Sequence, residues 1–423
     1  MSRALRSTLI IGSIVALLLY LLEQSAVLGP VDRQLATAFG LPASAPLQHP
    51  AVQYLALLAL AFGVAWATID INRFDLKALV AGSALVQVFT GAALVALFGW
   101  YFSPLLPGLA VVLSFALAFV YARTAEGQRQ RHVESIYGRR ISDQTASTLV
   151  DGRAPIDNEG QMHELTIVVC EIFNHPSLMA ELAPAAYIAL NNEFLALASE
   201  SLVESGGCLA ECDGEGVRVI FGTPLPATDH AADACRASLE LARKLDAFNQ
   251  RVAAEHGQVC DWRIGVNSGS MIIGSFGSDR LAGFGVAGEE VEFARRLCAA
   301  NLIYGSSVLA GARTYEMAEG TVEVRPMELL RRRQDESWLE VYELLGLPEE
   351  IGAEGRERRD LYWTGVIYFR EKRLDEALDI FLQVRAMSPG HDGPVDFYLQ
   401  RIRSLQLNGS GADFETARLL NSL

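Results

Sequence analysis

The sequence has few basic residues for its length, with 35 Lys and Arg against 50 Asp and Glu among 423 residues. The formal net charge is −15 and the isoelectric point is about 5.0. A strongly acidic chain repels the phosphates of nucleic acids, so this balance argues against a nucleic acid as the partner. The length is sufficient for two or three domains.

The sequence also lacks a zinc-binding pattern. Cys208 and Cys212 are the only close pair of cysteines, and no second pair or histidine cluster completes a ligand set. We interpret all six cysteines as packing residues that stay reduced in the cytoplasm. They are Cys170, Cys208, Cys212, Cys235, Cys260 and Cys298.

Charged residues are scarce before residue 123, where the apolar residues form four runs at 8–22, 51–71, 78–100 and 104–121. The last three runs have about 20 residues each, which is enough for a helix to cross a membrane. Buried helices of a soluble protein would show a polar face, and these runs have almost none. The pattern predicts a four-helix transmembrane region.

The first run has about 15 residues behind Arg3 and Arg6, so it is either a signal peptide or an uncleaved signal anchor. A small-residue cleavage site, Ala43-Ser44-Ala45, lies far downstream and runs into Pro46, which favours the anchor.

Basic residues mark alternate ends of the four runs, and by the positive-inside rule they face the cytoplasm. We therefore expect a multi-pass protein of the inner (cell) membrane. Residues 23–50 face outwards, and the amino terminus and everything after Tyr121 are cytoplasmic. The basic residues are Arg3, Arg6, Arg73, Lys77, Arg123, Arg129, Arg131, Arg139 and Arg140.

Residues 123–142 are charged and helical in character, with one narrow apolar stripe. The stripe suits either a parallel helix pair that aligns two copies of the chain or a lone helix lying on the next domain. It consists of Val133, Ile136, Tyr137 and Ile141. Residues 151–163 are rich in Gly, Pro, Asp and Asn, which is typical of a linker.

The next block alternates strands and helices. "LTIVVCEI" (165–172) predicts a buried strand, residues 184–204 a helix, and "GGCLAECDGEGVRVIFG" (206–222) a hairpin. A helix that Thr228 or Asp229 caps follows, then a second hairpin turning near 268–270 and a strand that leads into a helix. This order predicts a ferredoxin-like α+β domain.

The tip of the first hairpin carries Glu211, Asp213 and Glu215 without a lysine. Alternation along a strand directs all three towards the same side, where like charges repel one another. Taken without any family context, such a tip is interpreted as a solvated acidic turn.

The block resembles the catalytic domain of the class III adenylate and guanylate cyclases, of the bacterial membrane-bound type. Four segments carry the resemblance in order: "VVCEIFNHP", "GGCLAECDGEGVRVIFGTP", "DHAADACRASLELARKL" and "RIGVNSGSMIIGSFGSDRLAGFGVAGEEVEFARRL". Outside them, "VESIYGRRISDQTASTLV" is similar to the transducing segment before cyclase domains, and "WLEVYELLG" to their closing strand.

The resemblance implies a metal site that one chain supplies. In the family, two carboxylates hold two Mg²⁺ or Mn²⁺ ions around the triphosphate of ATP or GTP, and their positions carry Glu171 and Glu215 here. Ile172, which gives a backbone carbonyl to a metal, keeps the family's residue.

The resemblance also implies residues that bind the rest of the nucleotide. Glu211 and Gly285 stand where the family places a lysine and a second polar residue that read the base. Glu292 stands in place of an asparagine supplied by the partner chain, and Arg296 keeps the family's arginine.

These departures predict a degraded catalytic set. Glutamate reaches about one bond further than aspartate, whereas Mg²⁺ requires near-octahedral ligands at about 2.0–2.1 Å, and a displacement of about 1 Å can cost about 10²-fold in rate. A carboxylate at Glu292, about 4 Å from another negative charge, is repelled by roughly 4 kcal/mol at an effective dielectric near 20. We expect a regulatory or very weakly active protein, pairing as a homodimer or with an active cyclase.

An active cyclase is the alternative. The family's guanylate cyclases carry a glutamate at the position of Glu211, because a carboxylate accepts hydrogen bonds from guanine. Such an enzyme would convert ATP or GTP to cyclic AMP or cyclic GMP and pyrophosphate. Gly285 does not complete the pair that reads the base, and Glu292 still opposes catalysis.

The carboxyl-terminal region has the spacing of one tetratricopeptide-like unit, a helix pair of about 34 residues. A single unit cannot bury its apolar face alone, so we expect it to pack on the cyclase domain or on a partner. The spacing is carried by Leu361, Gly365, Tyr368, Ala377, Phe381, Val384 and Pro389.

The predicted domains are a transmembrane region surrounded by lipid (1–122), a transducing helix and linker (123–160), a cyclase homology domain (161–346) and a helical tail (347–423).

Overall fold

The computed structural model describes residues 3–25, 27–41, 50–71, 74–151, 159–278, 281–331, 338–388, 390–408 and 417–419. The chain divides into two compact units, Met1–His132 and Val133–Leu423. The predictions for Arg73, for residues 43–46 and for Pro389 lie outside the described residues.

The first unit consists of helices. Four of them are long and apolar enough to cross a membrane, with a mean hydropathy of 1.8 to 2.2, as the four apolar runs predict. Small and aliphatic side chains such as Val15, Ala61 and Ala110 pack between them. The helices are α1 Arg3–Gln24, α2 Gly29–Ala38, α3 Pro50–Asp70, α4 Phe74–Ala96 and α5 Leu105–Arg123, and α6 Ala125–Ile136 follows.

Two loops meet at one end of these helices. Tyr101 Oη donates a hydrogen bond to the Asp32 carbonyl at 2.9 Å, and Ser103 Oγ donates to Asp32 Oδ1 at 2.5 Å. The α1–α3 and α4–α5 connections therefore lie on the same side, in agreement with the alternation of basic helix ends.

In the described residues of the second unit, nine strands form one mixed sheet, with the order β2-β3-β1-β4-β6-β8-β7-β9 and β5 paired to β4. The neighbouring pairs β2–β3, β3–β1 and β1–β4 are antiparallel, and the pair β4–β6 is parallel. The strands are β1 Glu159–Ile172, β2 Cys208–Cys212, β3 Gly216–Phe221, β4 Trp262–Ser278, β5 Leu281–Ala287, β6 Val308–Gly311, β7 Glu323–Arg331, β8 Trp338–Gly346 and β9 Ala417–Leu419.

Helices cover both faces of this sheet, so the unit is a mixed α/β domain followed by carboxyl-terminal helices. The chain from β1 to β4 runs strand, helix, hairpin, helix, strand, as predicted. The helices are α7 Asp143–Val150, α8 His175–Glu181, α9 Pro184–Glu204, α10 His230–His256, α11 Glu289–Tyr304, α12 Ala312–Met317, α13 Ala353–Arg370, α14 Leu374–Met387 and α15 Gly393–Asn408.

The predicted turn near 268–270 is wrong, because β4 continues through it. Gly269 pairs with Leu165 of β1, which begins at Glu159 rather than at the predicted Leu165. Ser268 is buried, and its Oγ lies 2.6 Å from Thr166 Oγ1 on the neighbouring strand. A hydroxyl that is satisfied across the strand pair lets a small polar residue lie inside a sheet.

Alternation along β1 sends its side chains into two separate cores. Val168 and Cys170 face α9 and α10, whereas Ile167 and Val169 face the opposite side. That second side is covered by α11 and by the segment that precedes β1.

The apolar stripe of residues 133–141 is buried on this second side. Val133 and Tyr137 are 2% and 1% exposed, and the Tyr137 ring lies 5.0 Å from that of Phe284 on β5. The stripe therefore packs on its own α/β domain, which is the second of the two predicted arrangements. Helix α6 ends at Ile136, earlier than predicted.

The tail helices pack on the α/β domain, which is the first of the two predicted arrangements. Tyr362, Phe381 and Tyr398 share one core with Tyr304 of α11 and Met327 of β7. The helix pair is tight, since a Cβ on Gly365 would lie 3.1 Å from the Phe381 ring.

Candidate functional site

Strand register brings Glu171 and Arg218 to one face of the sheet. Glu171 pairs with Gly216 of β3, and Val169 pairs with Arg218, two residues further along the same face. A Cβ on Gly216 would lie 2.7 Å from Glu171 Cγ. The glycine therefore leaves the space in which the Glu171 side chain lies beside the hairpin.

Arg218 lies among three carboxylates. Its Nη2 is 3.6 Å from Glu171 Oε1 and 3.8 Å from Asp213 Oδ2, and its Nη1 forms an ion pair with Glu211 Oε2. The charge at the hairpin tip is thus partly compensated by an arginine that was not among the predicted site residues. The sequence did contain a sign of its role. Arg218 is the one charged residue in the strand "VRVIF", and it pairs with Glu211 across the hairpin.

The predicted alternation of Glu211, Asp213 and Glu215 along one strand is wrong. Strand β2 ends at Cys212 and β3 begins at Gly216, so Asp213 and Glu215 belong to the turn. Asp213 Oδ1 accepts the backbone N–H groups of Glu215 and Gly216 at 2.8 and 2.9 Å. A short carboxylate that binds its own backbone two residues on is typical of a turn.

Among the predicted metal-site residues, Glu171 and Ile172 are largely buried and Glu215 is exposed. The Ile172 N–H donates to the Glu215 carbonyl at 3.0 Å, which holds the two backbones together. Burial raises the pKa of the Glu171 carboxyl, and the guanidinium groups of Arg218 and Arg295 oppose that shift.

A cavity of about 680 Å³ opens beside this cluster. It brings together three predicted residues, Glu211, Gly285 and Glu292. Arg140, Arg218 and Arg295 also line it, and they were not predicted as site residues. The cavity is therefore lined by charges of both signs and is not a uniformly basic phosphate site.

Helix α11 presents Glu292 and Arg295 to the cavity. Arg295 Nη1 lies 3.1 Å from Glu292 Oε2, one helical turn apart. Arg296, the arginine that the resemblance implies for the site, is half-buried and is not among the residues that line this cavity. The rotation of α11 about its axis thus places Arg295, the neighbour of Arg296, beside Glu292.

Arg140 connects the segment before β1 to the hairpin. Its Nη1 donates to the carbonyls of Leu209 and Ala210 at 3.1 and 2.6 Å, and the Leu209 N–H donates to the Arg140 carbonyl at 2.7 Å. A Cβ on Gly283 would lie 3.1 Å from Arg140 Nη2. One side chain therefore fastens this segment to β2 at the rim of the cavity.

The residues present do not fit two divalent ions. Mg²⁺ requires an octahedron of oxygen ligands at about 2.0–2.1 Å. Among the described residues, no three His, Cys, Asp or Glu side chains are grouped so as to hold a metal ion. Glu171 faces Arg218 instead, and Glu215 points its charge to solvent from the turn.

Comparison with known proteins supplies the class of this domain. Residues 158–323 match the family described as "Adenylate and Guanylate cyclase catalytic domain". Adenylate cyclase 1 of Rhizobium meliloti is 27% identical over 190 residues, which cover 45% of this chain and 29% of that protein. An uncharacterised protein of Mycobacterium tuberculosis is 26% identical over 195 residues, which cover 46% of this chain and 33% of that protein.

Solved structures give similar neighbours. The guanylyl cyclase Cya2 shares 23% identity at a TM-score of 0.42, covering 45% of this chain and 95% of that one. The adenylyl cyclase CyaB from P. aeruginosa shares 24% identity at a TM-score of 0.42, covering 46% of this chain and 100% of that one.

The central segment is therefore a class III adenylate/guanylate cyclase catalytic domain with cyclase homologues. The chain spans about a third of the length of the Rhizobium and Mycobacterium relatives.

Proposed function

We propose that this protein is a membrane-anchored signalling member of the class III cyclase family whose catalytic set is degraded. It acts as a regulatory subunit, in a homodimer or beside an active cyclase, rather than as an efficient producer of cyclic nucleotide. The four apolar helices anchor it in the inner membrane, and the tetratricopeptide-like tail packs on the cyclase domain.

One observation carries this proposal: Glu292 lines the cavity at the position where the family resemblance requires an asparagine. A carboxylate there faces the negative charge of a triphosphate and offers no hydrogen-bond donor. At about 4 Å and an effective dielectric near 20, the repulsion between the bare charges is roughly 4 kcal/mol, or about 10³-fold in rate, and this is an upper limit because Arg295 pairs with Glu292. Gly285, on the same wall, offers the base no polar group.

The test is turnover by the full-length protein in detergent or lipid nanodiscs. We expect little or no cyclic AMP or cyclic GMP with Mg²⁺ and at most a trace with Mn²⁺. An active relative of the same family, assayed in parallel, shows that the conditions support the reaction. Robust production of either cyclic nucleotide contradicts the proposal.

The second candidate is an active guanylate cyclase. Glu211 lines the cavity, where a carboxylate is able to accept hydrogen bonds from guanine. Its ion pair with Arg218 competes with that role. Production of cyclic GMP that Glu211→Ala abolishes favours this candidate.

The dimer is tested by cross-linking in the membrane. Val133 is buried against its own domain, whereas Gln128 is exposed on α6. If two copies lie in parallel, we expect a disulfide between copies of Gln128→Cys and none between copies of Val133→Cys. The absence of any cross-link at Gln128 and along the exposed face of α6 contradicts a pair aligned by this helix.

A further inference from the structure

Three carboxylates of the cyclase domain converge on one guanidinium. Glu171 and Asp213 lie 3.6 and 3.8 Å from the same nitrogen of Arg218, and Glu211 pairs with the other terminal nitrogen. The cluster joins the end of β1 to both arms of the hairpin. It is the region to which the family resemblance assigns the metal ligands.

Arg218 is held in place more firmly than a surface arginine. Its side chain is 18% exposed, and three carboxylates contact its two terminal nitrogens. By contrast, Arg251 also pairs with two carboxylates, Glu193 and Glu255, but its side chain is 43% exposed. A partly buried charge with several partners is screened by solvent far less than an exposed one.

The position of Arg218 makes a second cation unfavourable. A divalent ion that takes Glu171 and Asp213 as ligands has to displace the guanidinium or lie beside it. Like charges about 4 Å apart repel one another strongly outside bulk water. An arginine does not give up its proton at ordinary pH, so the guanidinium keeps its charge when a metal ion approaches.

We propose that Arg218 is a built-in cation that occupies the carboxylate cluster of Glu171, Glu211 and Asp213 and excludes divalent metal ions from it. This inference rests on the proposed function and deepens it, because it names a residue that, in addition to Glu292, separates this chain from metal-dependent catalysis. The carboxylates serve to hold the hairpin against β1 through Arg218.

The experiment is a Mn²⁺ titration of the purified full chain in detergent, followed by electron paramagnetic resonance of free Mn²⁺. Protein carboxylate sites at the weak end of the affinity range have dissociation constants of about 1 mM. In the wild type we expect no Mn²⁺ to bind through Glu171 with a dissociation constant below that value. Arg218→Met removes the cation. We expect this variant to bind one Mn²⁺ more than the wild type, with a dissociation constant at least about tenfold below that limit.

Two further variants locate the gained ion. Glu171→Gln combined with Arg218→Met should lose it, because the buried ligand is gone. Arg251→Met, the matched control that frees two exposed carboxylates, should titrate as the wild type does. Binding to the wild type that Glu171→Gln removes, or no gain in Arg218→Met, overturns the inference.

If Arg218→Met fails to fold by size-exclusion chromatography and circular dichroism, Arg218→Gln takes its place with the same criteria, because glutamine keeps polar contacts without the charge. The titration is independent of turnover. Cyclic nucleotide production by the wild type contradicts the proposed function, whereas Mn²⁺ bound through Glu171 contradicts the exclusion.

Discussion

Arg325 of β7 and Asp392, just before α15, form a bidentate ion pair with nitrogen–oxygen distances of 3.0 and 2.9 Å. The Arg325 side chain is 9% exposed and also pairs with Glu343 of β8. Its guanidinium lies 4.7 Å from the centre of the Tyr362 ring on α13. One arginine of the sheet therefore contacts two parts of the tail.

Asp392→Ala should destabilise the attachment of the tail. Removal of one partner leaves a buried charge with incomplete compensation, which costs about 3 kcal/mol. The free energy of unfolding is measured by urea unfolding of the full chain in detergent. Limited proteolysis of the folded protein then measures the release of the tail. Arg243→Ala, which breaks an exposed pair with Glu350, is the control and should change little. Equal effects of the two changes would show that Arg325 does not depend on Asp392.

His230 should make the stability of the second unit depend on pH. Burial lowers its pKa, an effect that Arg313 reinforces and that Glu164, Asp233 and Asp229 oppose, and its Nδ1 lies 2.7 Å from Thr166 Oγ1. The unfolded chain then binds the proton more readily than the folded one. Stability is therefore full above the ordinary histidine pKa of about 6.5 and decreases as the pH falls towards the lower folded value.

The check is urea unfolding of the wild type and of His230→Asn at about pH 7.5 and about pH 5.5. The slope due to one histidine is at most about 1.4 kcal/mol per pH unit. We expect the variant to have the flatter profile. Parallel profiles would assign the pH dependence to other groups.

Glu292→Asn should raise cyclic nucleotide production more than Glu211→Lys. The first change removes a charge that faces phosphate and restores an amide donor. The second puts a lysine beside Arg218, the present partner of Glu211, so two cations meet. Cyclic AMP and cyclic GMP are measured with the full chain, and Glu319→Asn, an exposed change away from the cavity, is the control. A larger gain from Glu211→Lys would show that base reading limits turnover more than phosphate repulsion does.

Only a combined change should restore substantial activity. The combination includes Glu292→Asn, because Glu292 repels the triphosphate, and Arg218→Met, because Arg218 excludes the metal ions. Together with Glu171→Asp, Glu215→Asp and a polar residue at Gly285, these changes act on one site, so their effects are not additive. A Cβ at Gly285 would lie 3.0 Å from Phe276 Cδ2, and the exposed Phe276 ring has to move aside. Steady-state rates of each single variant and of the combination, compared on a logarithmic scale, measure the coupling.

Membrane topology can be read with cysteine probes. Cys212 is exposed and the other five cysteines are buried, so Cys212→Ser provides a parent protein with little labelling of its own. In whole cells, a membrane-impermeant maleimide should label Val27→Cys and spare Met162→Cys, both of which are exposed positions. The opposite labelling pattern would reverse the orientation assigned from the basic residues.

Local sequence patterns were enough to predict the four apolar helices, the hairpin and the order of strands and helices, since hydrophobic runs and alternation are local properties of the chain. Helix α9 has the bounds that its pattern predicts, and strand β8 has the bounds of the segment that resembles the closing strand of cyclase domains. An isolated helix pair leaves an apolar face uncovered, so the tail was expected to pack on the cyclase domain or on a partner, and the structure shows the first of these.

Which charges meet was settled by the three-dimensional arrangement alone. The β1–β3 register and the missing side chain at Gly216 set Glu171 beside Arg218, and neither is visible from a single strand. The rotation of α11 put Arg295 rather than Arg296 on the cavity wall. Strand β4 passed through Gly269 without a turn because its partner β1 is long enough to pair with it. Contacts between residues distant in sequence depend on register and helix rotation, which local patterns do not encode.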